Sequence, residues 1–331
     1  MAGSTLASGT TEPVRLGAGR PSSRRALMLR RALRTPSGLV GALLLLIVAT
    51  TALLANVIAP GKPTASAGPS LQSPSLDHLM GTDNYGRDMF RAVAHGTRTS
   101  MTVVVAVVVM SLIIGLFVGM VSGYTGGVVD AVLMRTTEMF QSVPRFFLAI
   151  LVVGFFGAGL DKLILLLGLT SWDLLARVVR AESLSLRRRE FVDAARSVGT
   201  SPARILLRHI LPNVLPSAVV VASLLGSRVI LIEAALAFIG LGDPNAISLG
   251  YLLENAQHFL SQAWWMSVFP GSAIAVVVLG LNLSGDAVND LLNPLGAEAA
   301  RPRGLTGGWW RRRSDRPRGG PVPAPPVPAP R

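Results

Sequence analysis

The residues that could do chemistry in this chain are few and far apart. The sequence contains no cysteine, no GxSxG motif and no HExxH motif. These absences exclude a cysteine hydrolase, a disulfide-stapled or Cys-ligated module, a serine hydrolase with a nucleophile elbow and a zincin-type protease. The four histidines are dispersed over different loops: His78, His95, His209 and His258.

One polar segment, HLMGTDNYGRD at residues 78–88, is dense enough to form a site. A metal site made from His78, Asp83 and Asp88 is one interpretation of it. The other is a hydrogen-bonded loop in which Gly81 and Gly86 provide the turns and the charged side chains pair internally. We favour the loop, and the sequence therefore predicts no metal site.

The lysines decide the question of nucleotide binding. A P-loop requires GxxxxGK[ST], in which backbone amides and the lysine hold the phosphates. The only lysines are Lys62, followed by Pro63, and Lys162, followed by Leu163. We therefore predict that the chain binds no ATP and no other cofactor, and that it is not an enzyme.

The elements that position these residues follow from composition. Of the 331 residues, 50% are hydrophobic and only 15% are charged, and the mean hydropathy is +0.51. The apolar residues occur in long blocks, which is typical of a chain that uses the lipid bilayer as solvent. The sequence predicts an all-α membrane protein with six transmembrane helices: Gly38–Ala59, Thr99–Tyr124, Ala131–Phe156, Lys162–Val179, Ala218–Leu241 and Trp265–Leu283.

The distribution of the arginines predicts how these helices are oriented in the membrane. They concentrate before the first span, between the fourth and fifth spans, and after the sixth, whereas Gly242–Trp264 contains no Lys or Arg. Because cytoplasmic loops are enriched in Lys and Arg, both termini are expected in the cytoplasm. The formal charge of +13 then reflects topology and attraction to anionic membrane lipid, and no nucleic-acid partner is predicted.

The chain divides accordingly into five parts. They are a disordered basic leader (1–37), the first transmembrane helix (38–59), an external loop (60–98), a core with five transmembrane helices (99–295) and a disordered Arg/Pro-rich tail (296–331). The core contains a cytoplasmic insert at residues 187–212.

The sequence of the insert predicts two short helices separated by a sharp break. The first has an apolar stripe that must bury against something; its members are Phe191, Ala194, Ala195 and Val198. Gly199 suits the left-handed position that ends a helix, Ser201 is a candidate N-cap, and Pro202 suits the first position of a second helix, Ala203–Ile210. An interfacial helix pair, a DNA-reading helix-turn-helix and a docking knob for a cytosolic motor are the competing interpretations.

Three features inside the predicted spans lead to further structural predictions. Pro144 is expected to end or kink its helix near Val143. Gly115 and Gly119 form a GxxxG seam, either for packing within the chain or for a dimer face. Arg228 and Glu233 are five residues apart in one span, which places them on different faces, so each is expected to meet another element.

The insert also carries a resemblance. DAARSVG…HILP, from Asp193 to Pro212, resembles the EAA motif of ATP-binding-cassette (ABC) importer permeases. The broader match is to the dipeptide/oligopeptide/nickel permease family. It is carried by HLMGTDNYGRD (78–88), EAALAFIGLG (233–242), Trp264-Trp265…Pro270-Gly271 and NLSGD (282–286).

The resemblance implies the partners and the working residues. The chain would be one membrane subunit of an importer for peptides or a similar small solute such as nickel. It would pair with a second permease, two ABC ATPases that carry ATP and Mg²⁺, and an extracytoplasmic binding protein. The residues implied in ATPase coupling are Glu190, Asp193, Ala194, Ala195, Gly199, Arg204 and Pro212. Those implied at the external loop or vestibule are Gly81, Thr82, Asp83, Gly86, Arg87 and Asp88. Those implied at the pathway or an interface are Arg228, Glu233, Gly240, Gly242 and Asp286.

Two other classes remain as alternatives. A gradient-driven secondary transporter usually has inverted repeats and several intramembrane ionisable groups, whereas this sequence shows no repeat and too few such groups. A membrane scaffold would tolerate charge reversal at Arg196 and replacement of Gly199.

Overall fold

The computed structural model describes residues 36–292, and within that range the chain is helical apart from its loops. No β-strand occurs among these residues; two isolated bridges, Ser66–Arg87 and Thr82–Asp88, lie in the first loop (residues 59–88). The helices are α1 (Pro36–Leu53), α2 (Ala55–Ile58), α3 (Met89–Thr125), α4 (Gly127–Ser142), α5 (Arg145–Phe156), α6 (Leu160–Thr170), α7 (Asp173–Arg187), α8 (Glu190–Ser197), α9 (Pro202–Ile205), α10 (Leu211–Phe238), α11 (Leu249–Ala256) and α12 (Trp265–Leu292). The predicted leader, except its last two residues, and the predicted tail lie outside the described residues.

Within the described range, four helical segments are long and apolar enough to cross a membrane. They are Pro36–Leu53, Met89–Thr125, Pro202–Phe238 and Trp265–Asp290. A fifth crossing results if α4 and α5 count as one bent span. A multi-pass helical membrane protein is therefore confirmed.

The fourth predicted span, Lys162–Val179, is wrong as a continuous helix. The helix is interrupted at Ser171–Trp172, so α6 has only 11 residues, whereas a membrane-spanning helix needs about 20. The α6 segment is apolar, as the sequence indicates. The break was missed because neither proline nor glycine marks it.

The bend between α4 and α5 confirms the predicted effect of Pro144. The two helices meet at 75°, and Val143 between them is extended, with ψ 122°. Proline has no N–H to donate and disfavours the helical conformation of the residue before it.

The glycine seam on α3 packs within the chain. A methyl group at Gly119 would lie 2.5 Å from the Ala176 carbonyl oxygen, and one at Gly115 would lie 2.6 Å from Leu175. Gly123 makes the same kind of approach to Arg180. Small residues thus let α3 and α7 pack backbone to backbone, which is the intrachain interpretation of the seam.

The insert departs from its prediction in two respects. Helix α8 and the left-handed Gly199, with φ +74°, are confirmed. Ser201 is extended and Pro202 opens the next helix, but the Ser201 side chain makes no capping hydrogen bond. The predicted second helix, Ala203–Ile210, is not separate. It continues through a π-helical turn into α10, and the turn shifts the backbone pairing just before Pro212, which has no N–H to donate.

Candidate functional site

Helix α8 of the insert is anchored by one face. Its Val192 and Ala195 are buried in an apolar cluster with side chains of α3, α7 and α10, among them Met120 and Leu175. The guanidinium of Arg196 lies 5.2 Å from the ring centre of Tyr124. These contacts fix α8 against the membrane helices.

Beside this buried face, α8 and the residue that follows it expose apolar side chains. Phe191 is 42% exposed and Val198 is 80% exposed, and Ala194 is exposed as well. Of the predicted apolar stripe, only Ala195 is buried in this chain. The stripe was expected to bury against something, and within residues 36–292 it is covered only in part: the Phe191 ring lies 6.3 Å from that of His209, whereas Ala194 and Val198 stay exposed.

Six of the seven predicted coupling residues are exposed. Asp193 forms an ion pair with Arg196 (3.1 Å) on the α8 surface, and Ala195 is the buried exception. The exposed ones are Glu190, Asp193, Ala194, Gly199, Arg204 and Pro212. The structure thus leaves six of the set exposed along the insert, with Ala195 buried.

The first loop is held together by its own hydrogen bonds. Asp83 Oδ1 accepts from the backbone amides of Tyr85 and Arg87, both at 2.8 Å. Its Oδ2 and the Arg87 Nε are buried without a hydrogen-bond partner among the described residues, 3.9 Å apart. Burial raises the pKa of Asp83 above its ordinary value, against the lowering effect of the two amides and Arg87.

The same loop is fastened to the membrane helices. Trp265 Nε1–H donates to the Thr82 carbonyl oxygen at 3.0 Å, His78 Nδ1 lies 2.9 Å from Asp88 Oδ2, and Asp88 Oδ1 caps α3 by accepting from the Arg91 amide. Gly81 and Gly86 have positive φ values, as their turns require. Among residues 36–292 no group of three or more His, Asp or Glu could hold a metal ion.

The predicted loop residues are therefore interior to the loop. Gly81, Thr82, Asp83 and Gly86 are buried, and Arg87 and Asp88 are half-buried. The side chains that this loop does expose were not predicted: Leu76 is 96% exposed, Leu79 63% and Tyr85 56%. Large apolar residues in a polar loop were the signal that could have found them.

The candidate pathway residues separate from one another. Glu233 is buried, and its Oε2 accepts from the Ser100 hydroxyl at 3.1 Å, while Ser100 Oγ accepts from the Leu249 amide. Glu233 thus joins α3, α10 and α11. Gly240, with φ +82°, ends α10; Gly242 packs against Ala237; Asp286 is exposed on α12.

Arg228, by contrast, lines a cavity of about 370 Å³ together with Arg145, Ser171, Asp173 and Arg177. The sequence interpretation did not assemble this group. Arg145 follows Pro144, and Arg177 falls inside the predicted fourth span, so intramembrane charge was the available signal.

A multi-pass helical protein that anchors a short amphipathic helix to its membrane spans is typical of the permeases, the membrane subunits of transport systems. A family model described as "binding-protein-dependent transport system inner membrane component" matches residues 111–295. The chain belongs to that family.

Its relatives include named peptide permeases. The oligopeptide transport system permease protein OppC of Escherichia coli (strain K12) is 44% identical over 230 residues, 69% of this chain and 75% of that protein. The dipeptide transport system permease protein DppC of Alkalihalophilus pseudofirmus is 36% identical over 255 residues, 75% of this chain and 84% of that protein. Inward-facing structures of the MetNI methionine ABC transporter have the same fold, with a TM-score of 0.52 at 19% identity over 61% of this chain and 97% of that one.

Proposed function

We propose that this chain is the permease subunit of an ABC importer that moves peptides across the cell membrane by ATP-driven alternating access. The observation that carries the proposal is α8, which packs on one face into an apolar cluster with α3, α7 and α10 and exposes the apolar side chains of Phe191 and Val198 beside that face. The kinship to oligopeptide and dipeptide permeases supports peptides as the substrate class.

The exposed face of α8 is the docking site for an ABC ATPase in this proposal. Val198 and Phe191 would enter an apolar groove of the motor, and Arg204 and Glu190 would lie at its polar rim. ATP and Mg²⁺ bind to the two motor subunits, since this chain has no P-loop lysine. A second permease completes the pathway and a binding protein delivers the solute from outside.

The anchoring contacts suit α8 to transmit force. Val192 and Ala195 share their cluster with Leu175 of α7 and Ile210 at the start of α10. Close-packed interiors transmit displacement because their side chains have no free volume to absorb it. A push on α8 therefore reaches α7 and α10, two of the helices that line the cavity at Arg228.

This function requires a defined orientation. The insert and both termini lie in the cytoplasm, the first loop lies outside, and six membrane crossings connect them, with α4–α5 and α6–α7 each counted as one broken span. The arginines of the insert, Arg187, Arg188 and Arg189 among them, support this arrangement.

A charge on the docking face tests the proposal. Val198→Glu is expected to reduce copurification of the ATPase and ATP-driven peptide uptake by about tenfold or more, since it buries an unpaired carboxylate in the interface. Val128→Glu is the matched control, because Val128 is also 80% exposed but lies at the start of α4. It is expected to assemble and transport as wild type does.

Two results would contradict the proposal. One is wild-type copurification of the motor with Val198→Glu. The other is peptide uptake by this chain alone in proteoliposomes, driven by a proton or sodium gradient without ATP, which is the behaviour of a secondary transporter.

A further inference from the structure

The arginine cavity, lined by Arg145, Ser171, Asp173, Arg177 and Arg228, lies where two helix breaks meet. One break separates α4 from α5 at Val143–Pro144, and the other separates α6 from α7 at Ser171–Trp172. Helix α10 forms the remaining wall. Broken helices at membrane depth are tolerated where they are buried in protein or line a cavity, and in transporters such breaks build solute sites.

The charge of the cavity is unbalanced. Arg145 is fixed by Asp173 (2.7 Å) and by the Thr170 carbonyl oxygen (3.0 Å). Arg177 and Arg228 have no ion-pair or hydrogen-bond partner within residues 36–292. Three guanidinium groups therefore face one carboxylate, which leaves an excess of two positive charges.

Two further features of the cavity favour a negatively charged ligand. Ser171 is 2% exposed, and its hydroxyl is buried without a hydrogen-bond partner in the described part of the chain. Helices α5 and α7, of 12 and 15 residues, both begin at the cavity and have no side-chain cap. The N-terminus of a helix carries free N–H groups and the positive end of its dipole, so both favour a negative ligand.

The depth of the cavity favours a transported solute over a lipid headgroup. At 1.5 Å per residue, Arg228 lies roughly 25 Å along α10 from Leu211 and roughly 15 Å from its other end at Phe238. Headgroups lie at the ends of a membrane-crossing helix. A guanidinium at this position, unpaired within the chain, costs free energy on insertion and is retained where it has a function.

We propose that this cavity is a carboxylate subsite of the translocation pathway, which holds the C-terminal carboxylate of a peptide in transit between Arg177, Arg228 and the Ser171 hydroxyl. The proposal rests on the proposed function, because the carboxylate is that of the imported peptide. Arg145 is a positioning residue in this arrangement, since Asp173 and the Thr170 carbonyl oxygen already hold its guanidinium.

The test compares two peptides that differ in one group. Trialanine and trialanine amide are offered to the complete transporter in proteoliposomes, each at a concentration that gives equal occupancy of the binding protein, measured separately by calorimetry. Wild type is expected to import the free acid about tenfold faster, the size of one charge-assisted hydrogen bond. In the double variant Arg177→Gln/Arg228→Gln this ratio is expected to fall to about one.

Controls separate the subsite from general damage. Arg98→Gln changes an exposed arginine on α3 beside α1 and is expected to keep the wild-type ratio. Ser171→Ala removes a single oxygen and is expected to lower the ratio several-fold. It decides the question if the double variant fails to assemble.

The outcomes are distinguishable. An unchanged ratio in the double variant, or in Ser171→Ala where only that variant assembles, overturns the subsite and leaves the proposed function standing. Failure of the wild type to import either peptide with ATP overturns both. If the variants lose only an activation by phosphatidylglycerol over phosphatidylcholine vesicles, with the ratio unchanged, the cavity binds a lipid headgroup and the proposal is wrong.

Discussion

At the scale of single residues, Asp83 stands out because its two carboxylate oxygens have different surroundings. Oδ1 accepts two backbone amides at 2.8 Å and so holds the turn at Gly86, whereas Oδ2 is buried beside the Arg87 Nε without a hydrogen bond. A neutral side chain could keep the first set of bonds and avoid the burial of charge at the second oxygen. Asp83 therefore stabilises the loop through one oxygen and carries a desolvation cost on the other.

This imbalance predicts a pH dependence. The pKa of Asp83 is raised above its ordinary value of 3.8 by burial, so the folded loop binds the proton more tightly than the unfolded loop does. Its contribution to stability is complete below pH 3.8 and is lost as the pH rises through the raised pKa. Asp83→Asn is expected to flatten the dependence of Tm on pH above about pH 4, as measured by thermal unfolding in detergent.

The exposed carboxylate of Asp77 in the same loop provides the control. Asp77→Asn is expected to leave the pH profile of Tm as in the wild type. A profile for Asp83→Asn that runs parallel to that of the wild type would show that burial of this carboxylate does not govern the loop.

At the scale of elements, α3 and α7 depend on glycines for their close approach. Gly119→Ala places a methyl group against the Ala176 carbonyl oxygen and Val179, and overpacking of this kind costs about 1–3 kcal/mol. Gly154→Ala on α5 is the same substitution in open space. It is expected to be neutral or to stabilise by up to about 1 kcal/mol, since alanine is the better helix former.

Thermal unfolding of the two variants in detergent checks this prediction. Gly119→Ala is expected to lower Tm and Gly154→Ala to leave it unchanged or raise it. Equal effects of the two substitutions would mean that helix propensity, and not the α3–α7 contact, sets the role of Gly119.

The elements that sequence predicted well are those with a local cause. The ring of Pro144 disfavours the helical conformation of Val143 directly before it, and Gly199 permits the left-handed end of α8. The break at Ser171–Trp172 has no such marker. Trp172 donates to the Leu169 carbonyl oxygen and Asp173 pairs with Arg145, so the break is stabilised by a contact from α5 that the local sequence does not contain.

At the scale of the whole molecule, the coupling residues and the arginine cavity differ in how well the sequence alone could predict them. The coupling residues lie within one insert of 26 residues, so a single motif identifies them together. The arginine cavity draws on α5, α7 and α10, and Arg145 and Arg228 are brought together by tertiary packing alone. Pattern analysis could assign each arginine to the membrane interior but not to a common cavity.

The proposed orientation can be tested by labelling introduced cysteines, because the chain contains no native cysteine that would react as well. Single variants Leu76→Cys and Val198→Cys place a thiol on side chains that are 96% and 80% exposed. In right-side-out vesicles a membrane-impermeant maleimide is expected to label only Leu76→Cys, and in inverted vesicles only Val198→Cys, because the six proposed crossings place the first loop outside and the insert in the cytoplasm. Detergent-permeabilised vesicles, in which both variants should react, control for buried thiols. Labelling of both variants from one side would place the insert and the first loop on the same side of the membrane, where α8 could not receive a cytoplasmic ATPase while the loop meets a binding protein outside.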